Sequence, residues 1–154
     1  MFSSRQHSCW QEPASPQDRA SRWQTATIRS SAEVAKALAP VLGQMVLASY
    51  PEKDRFAVRL ALEEALINAV RHGNREDPAR RVWLRFRLTA ESFLAEVEDE
   101  GEGFDPSLVP DPLSPENMER SSGRGLLLMR AYMTWVRHND SGNCVTLCKY
   151  RSVA

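Results

Sequence analysis

Glu64, Asn68 and His72 recur at i, i+4 and i+8 within "LALEEALINAVRHGN", residues 60 to 74. On an α-helix that spacing sets the three in one polar stripe, while Leu60, Ala61, Ala65, Ile67 and Ala69 beside them are small or apolar. A carboxylate and a carboxamide one turn apart can face a single ligand. A solvated helix face has the same pattern, so the stripe leaves both readings open.

Two further stretches bear on the choice. In "EVEDEGEGFD", residues 96 to 105, a strand ends at Asp99 and runs at once into Gly101 and Gly103. Glycines spaced by one let backbone N–H groups approach a ligand closely, and Asp99 is an acceptor suited to a purine amino group. An acidic β-turn explains that motif equally well. In "SSGRGLLLM", residues 121 to 129, Gly123 and Gly125 precede an apolar helix. Free N–H groups and the helix dipole favour phosphate at such a turn, and Arg124, with Arg120 nearby, has the reach to meet phosphate oxygens. A plain glycine hinge is the alternative, but all three stretches in this order are hard to produce by chance.

The elements that must position these residues follow from pattern. The chain has 154 residues, 42% hydrophobic and 26% charged, enough for one globular domain with a real core. Its 20 basic and 20 acidic side chains cancel, which argues against direct nucleic-acid binding or an anionic lipid surface. No uninterrupted apolar run of membrane length occurs, and the N-terminus lacks the apolar region of a signal peptide, so a cytoplasmic location away from membranes is expected. The three cysteines, Cys9, Cys144 and Cys148, are expected to be reduced. Cys144 and Cys148 on one strand would lie roughly 13 Å apart and could not bridge to each other there. No metal-ligand spacing of the CxxC or HxxxH kind is present.

Residues 1–21, rich in Ser, Gln and Pro, read as a disordered tail ahead of one domain over 22–154. "RWQTATIRS" reads as a strand. A helix capped at Ser30 or Ser31 follows, with a bend expected at Pro40. Pro51 opens a second helix running to about Gly73. "RRVWLRFRLTA" and "SFLAEVEDE" alternate with period two and form an antiparallel hairpin. Residues 101–125 read as a long irregular loop, and residues 100–122, which overlap it, as a lid. A short helix from about Gly125 to Tyr132 and two closing strands complete an α+β fold, a layer of helices on one mixed, mostly antiparallel sheet.

"EEALINAVRHG", "DEGEGF" and "GRGLLLM" resemble the N, G1 and G2 boxes of the GHKL ATPase superfamily, and the resemblance spans about residues 22–150. Within that superfamily the single-domain length and the form of the first box are most similar to the bacterial anti-sigma factors that are serine/threonine kinases. The resemblance implies the two-layer α/β sandwich of that superfamily, the Bergerat fold, holding ATP and magnesium. It implies a kinase, a homodimer, that phosphorylates an anti-sigma factor antagonist protein and so regulates a sigma factor. By position it makes Glu64 the catalytic carboxylate, Asn68 the magnesium ligand and Asp99 the adenine acceptor. Gly101 and Gly103 become the nucleotide-adjacent turn, and Gly123, Arg124 and Gly125 the phosphate turn. Where relatives carry a Gly-Thr turn that helps hold adenine, this chain has "SGNCVTL", with Asn143 in place of the threonine. A sensor histidine kinase fragment would share the boxes but needs a helical segment bearing a phosphoaccepting histidine, and the polar tail with His7 offers none. A nucleotide-regulated binding module without phosphotransfer is the other reading.

Overall fold

A computed structural model describes residues 22–103 and 124–153. The expected tail over residues 1–21, Gly123, Arg120, most of the expected lid and the side chain of Arg124 lie outside the described residues.

The elements follow in the order β1 (Gln24–Ile28), α1 (Val34–Leu47), α2 (Glu52–Asn68), β2 (Val82–Leu88), β3 (Ser92–Asp99), α3 (Arg124–Tyr132), β4 (Trp135–His138) and β5 (Cys144–Tyr150). The five strands form one sheet in the order β1-β2-β3-β5-β4. All four pairings are antiparallel, so the α+β sandwich read from the sequence is present with no parallel pair among the described strands.

Alternation decides which face meets the helices. Val82, Leu84 and Phe86 of β2, Phe93, Ala95 and Val97 of β3, and Val145 and Leu147 of β5 join the core. From above, α1 adds Leu38, Val41 and Met45, α2 adds Val58, Leu62 and Leu66, and α3 adds Leu126 and Met129. Burial of a Leu or Phe side chain is worth about 1.5–3 kcal/mol, so this shared apolar layer fixes α2 and α3 over the sheet. On the other face, Arg85 bridges Glu96 at 3.1 Å and Glu98 at 3.4 Å.

Local chemistry departs from expectation at three points. A 3₁₀ turn, Ser31–Glu33, precedes α1, and the Ser30 hydroxyl meets the Glu33 carboxylate at 3.5 Å instead of capping a backbone N–H. Helix α1 continues through the exposed Pro40, which forfeits one backbone hydrogen bond inside it. The second helix does not stay α-helical to Gly73: it leaves the α form after Asn68 and closes with a π turn over Ala69–Gly73, in which the Asn74 N–H donates to the Ala69 carbonyl at 2.8 Å. The thiol expectation is also corrected, because Cys144 is disulfide-bonded, while Cys148 is a free and buried thiol. Among the described residues no helix is long and apolar enough to cross a membrane.

The two ends of the sheet differ. At one end, Arg151 and Ser152 after β5 lock onto the α1–α2 turn. Arg151 donates to the carbonyls of Ala48 (3.0 Å) and Ser49 (2.7 Å), and the fully buried Asp54 accepts from the N–H of Ser152 at 2.7 Å and from its hydroxyl. At the opposite end stand the start of β2, the end of β3 and the start of β5, where the glycines gather.

Candidate functional site

Glu64 and Asn68 sit half-buried one turn apart near the end of α2. Above them lies Gly125, the second residue of α3. A Cβ at Gly125 would stand 2.6 Å from Glu64 Oε2 and 2.9 Å from Asn68 Nδ2. Only a residue without a side chain lets the start of α3 descend onto the polar stripe. A carboxylate and a carboxamide thus meet the backbone of α3 here. Those are the groups a phosphate chain and its metal require. His72, third in the stripe by sequence, is exposed, because the π turn carries it off the face that Glu64 and Asn68 share.

The π turn places Gly73 against Asp99. A Cβ on Gly73 would overlap the Asp99 carboxyl group, and one on Gly101 would overlap the Gly73 carbonyl. The Gly101 N–H donates to Asp99 Oδ1 at 2.8 Å, fixing one carboxylate oxygen. Gly103 has φ +84°, and its Cα faces the Ser141 carbonyl with no room for a Cβ. Gly73 and Gly101 thus wrap one acid at the mouth of the sheet, with Gly103 packed on Ser141 beside them. Burial raises the pKa of Asp99 from 3.8 to about 6, opposed by the Gly101 hydrogen bond; the Glu98 charge adds to the rise and Arg80 counters it.

Asn143, expected in the place of the base-holding threonine, borders the same acid from β5, but its amide is engaged. Its Nδ2 donates to the Asp99 carbonyl at 3.3 Å, and its Oδ1 accepts from Asn139 Nδ2 at 2.7 Å. Asn139 in turn accepts the N–H groups of Asn143 (3.1 Å) and Cys144 (3.2 Å), closing the β4–β5 turn. Thr146, further along β5, is a fully buried strand residue.

The residues at the site that sequence reading missed are therefore amides. Asn74 is buried and tied to Glu100, and Asn139 supports Asn143. The dipeptide Gly73-Asn74 reads as a helix stop in sequence, and a site role carries no periodic signal there. Among the described residues no group of three or more His, Cys, Asp or Glu side chains is arranged to hold a metal ion.

The histidine kinase-like ATPase domain family matches residues 25–149. The serine-protein kinase RsbW of Bacillus subtilis (strain 168) is 34% identical over 100 residues, covering 60% of this chain and 62% of the relative. The serine-protein kinase RsbW of Bacillus licheniformis is 32% identical over 108 residues, covering 66% and 68%. That of Oceanobacillus iheyensis is 27% identical over 100 residues, covering 60% and 63%. The chain thus spans somewhat over three fifths of the length of the Bacillus subtilis relative.

Proposed function

Since this chain belongs to the histidine kinase-like ATPase domain family, we propose that it binds ATP with magnesium and passes the γ-phosphate to a serine or threonine of a partner protein, an anti-sigma factor antagonist. A sigma factor is then the second partner of the same switch. The observation that carries this reading is the seating of Gly125 on Glu64 and Asn68, which brings the first and third sequence boxes together.

The roles divide by position. Asp99 accepts the amino group of adenine, with Gly101 and Gly103 giving the base its close approach. Asn143 acts on the same acid through its backbone. The start of α3, with Gly123, Arg124 and Gly125, receives the phosphates. Glu64 accepts the proton of the attacking hydroxyl, which a carboxylate can do and a carboxamide cannot.

The donor set fits magnesium. That ion takes few protein ligands and keeps water and phosphate oxygens around it, so one carboxamide beside a carboxylate, in a cradle that a Cβ at Gly125 would fill, suits it. Asn68 would hold it, and when bound it neutralises charge on the phosphate oxygens.

The deciding experiment incubates the protein with γ-labelled ATP, magnesium and a cognate antagonist protein. Label on a serine or threonine of the partner is the expected result. Nucleotide binding without transfer would leave a nucleotide-regulated binding module.

A further inference from the structure

Resting on the adenine-binding reading, we propose that Asn74 is a positioning residue for base recognition: it holds the Glu100–Gly101 turn so that Asp99 presents its carboxylate to the amino group of the purine.

Asn74 is only 2% exposed, and each polar end of its side chain has one partner. Its Nδ2 donates to the Arg81 carbonyl at 2.9 Å, and its Oδ1 accepts the Glu100 N–H at 2.8 Å. Its own N–H closes the π turn on Ala69. One planar amide therefore joins the end of the α2 segment, the entry to β2 and the residue that follows Asp99. A second strut runs parallel to it, from the Arg81 N–H to Glu100 Oε2 at 2.5 Å.

The consequence passes to Asp99 through a single peptide. Glu100 is fixed at its N–H by Asn74, the next N–H belongs to Gly101, and that group grips Asp99 Oδ1 at 2.8 Å. The direction of the carboxylate is thus set by a turn whose anchor is Asn74. The part that acts on Asp99 is the acceptor for the Glu100 N–H: alanine lacks it, and aspartate keeps it while giving up the bond to Arg81.

The test compares ATP with inosine triphosphate, which bears a carbonyl where adenine has the amino group. Calorimetric Kd values are measured with magnesium for the unaltered protein, Asn74→Ala and Asn74→Asp. The unaltered protein is expected to prefer ATP. In Asn74→Ala the ATP affinity falls about ten-fold, equivalent to about 1.4 kcal/mol, while inosine triphosphate changes by less than about two-fold, so the preference collapses. Asn74→Asp, which keeps the acceptor for Glu100, retains most of the preference. An equal loss for both nucleotides, or an unchanged preference in Asn74→Ala, overturns the role of Asn74, as does loss of the preference in Asn74→Asp. Should Asn74→Ala not fold, Asn74→Ser takes its place with the same expectations. An unaltered protein that binds neither nucleotide overturns the adenine-binding reading itself, a result distinct from preference without dependence on Asn74.

Discussion

Asn143 holds Asp99 from both sides of one residue: the Asp99 N–H donates to the Asn143 carbonyl at 2.9 Å, and the Asp99 carbonyl accepts from Asn143 Nδ2 at 3.3 Å. A strand pair ordinarily fixes only the backbone. Here the side chain adds a bond just where β3 stops, so the last residue of the strand cannot fray from β5. The acid that faces the proposed base is thereby kept on the rigid sheet and not on the loop beyond it.

That acid makes binding sensitive to pH. Burial lifts the Asp99 pKa to about 6, against the Gly101 N–H and Arg80 and with Glu98. An acceptor for an amino group must be ionised, so ATP affinity is expected to be flat above that pH and to weaken toward ten-fold per unit below it. The sign for stability is opposite. The folded state holds the proton more tightly than the unfolded chain, so the Asp99 contribution favours folding at low pH and is lost as pH rises from about 4 to about 6. Calorimetric titrations between pH 5 and 8, as assay conditions, check the first statement; the inflection is expected to vanish in Asp99→Asn, with affinity reduced about ten-fold or more.

Glu64→Gln keeps the shape of the stripe but cannot take a proton. Single-turnover phosphorylation at saturating ATP is expected to slow by about 10²-fold, the low end for a general base, because phosphoryl transfer leans mainly on positioning and electrostatics. Nucleotide affinity is expected to hold. An unchanged transfer rate would remove Glu64 from the chemistry and return it to a solvated helix face. Asn68→Ala is expected to show the converse, with weakened magnesium-dependent nucleotide binding.

Gly125→Ala tests the seat of α3. The added Cβ meets Glu64 and Asn68 within 3 Å, and both must give way. The atoms it meets are the ends of two flexible side chains, so the fold is expected to hold while the carboxylate and the carboxamide are pushed off the start of α3. ATP affinity is expected to fall by about ten-fold or more, with far-ultraviolet circular dichroism unchanged. Full affinity in the variant would separate α3 from the nucleotide.

At the far end of the sheet, Asp54→Ala leaves Ser152 without its acceptor and Lys149, 4.0 Å away, without its buried counter-charge. A loss of about 3 kcal/mol is expected in urea unfolding, or roughly 6–12 °C in Tm. Nucleotide affinity of the folded variant is expected to be unchanged, because the lock and the site occupy opposite ends of the strands.

The sequence made the layers legible because each signal was local. Alternation in residues 82–88 and 92–99 predicted the hairpin, and the four-residue step from Glu64 to Asn68 predicted a shared helix face. What it did not show depends on contacts distant in sequence or on subtle backbone form. Asp54 meets Ser152 across 98 residues, and Asn74 meets Glu100 across 26. Apolar spacing does not separate an α-helical turn from a π turn over only five residues, so the exit of His72 from the stripe was hidden. Nor does residue type reveal that the amide of Asn143 is already engaged by its own backbone neighbours.

The π turn acts as a measuring device. It lies between Asn68, at the phosphate side of the proposed cavity, and Gly73, against the acid at the base side, and so sets the span available to a nucleotide. A π turn takes up one residue more than an α turn, so a residue lost from Ala69–Gly73 would leave the chain one short for keeping both the Gly73–Asp99 contact and the Asn74–Glu100 hydrogen bond. The gauge of this stretch is therefore its count of residues as well as the missing side chain at Gly73.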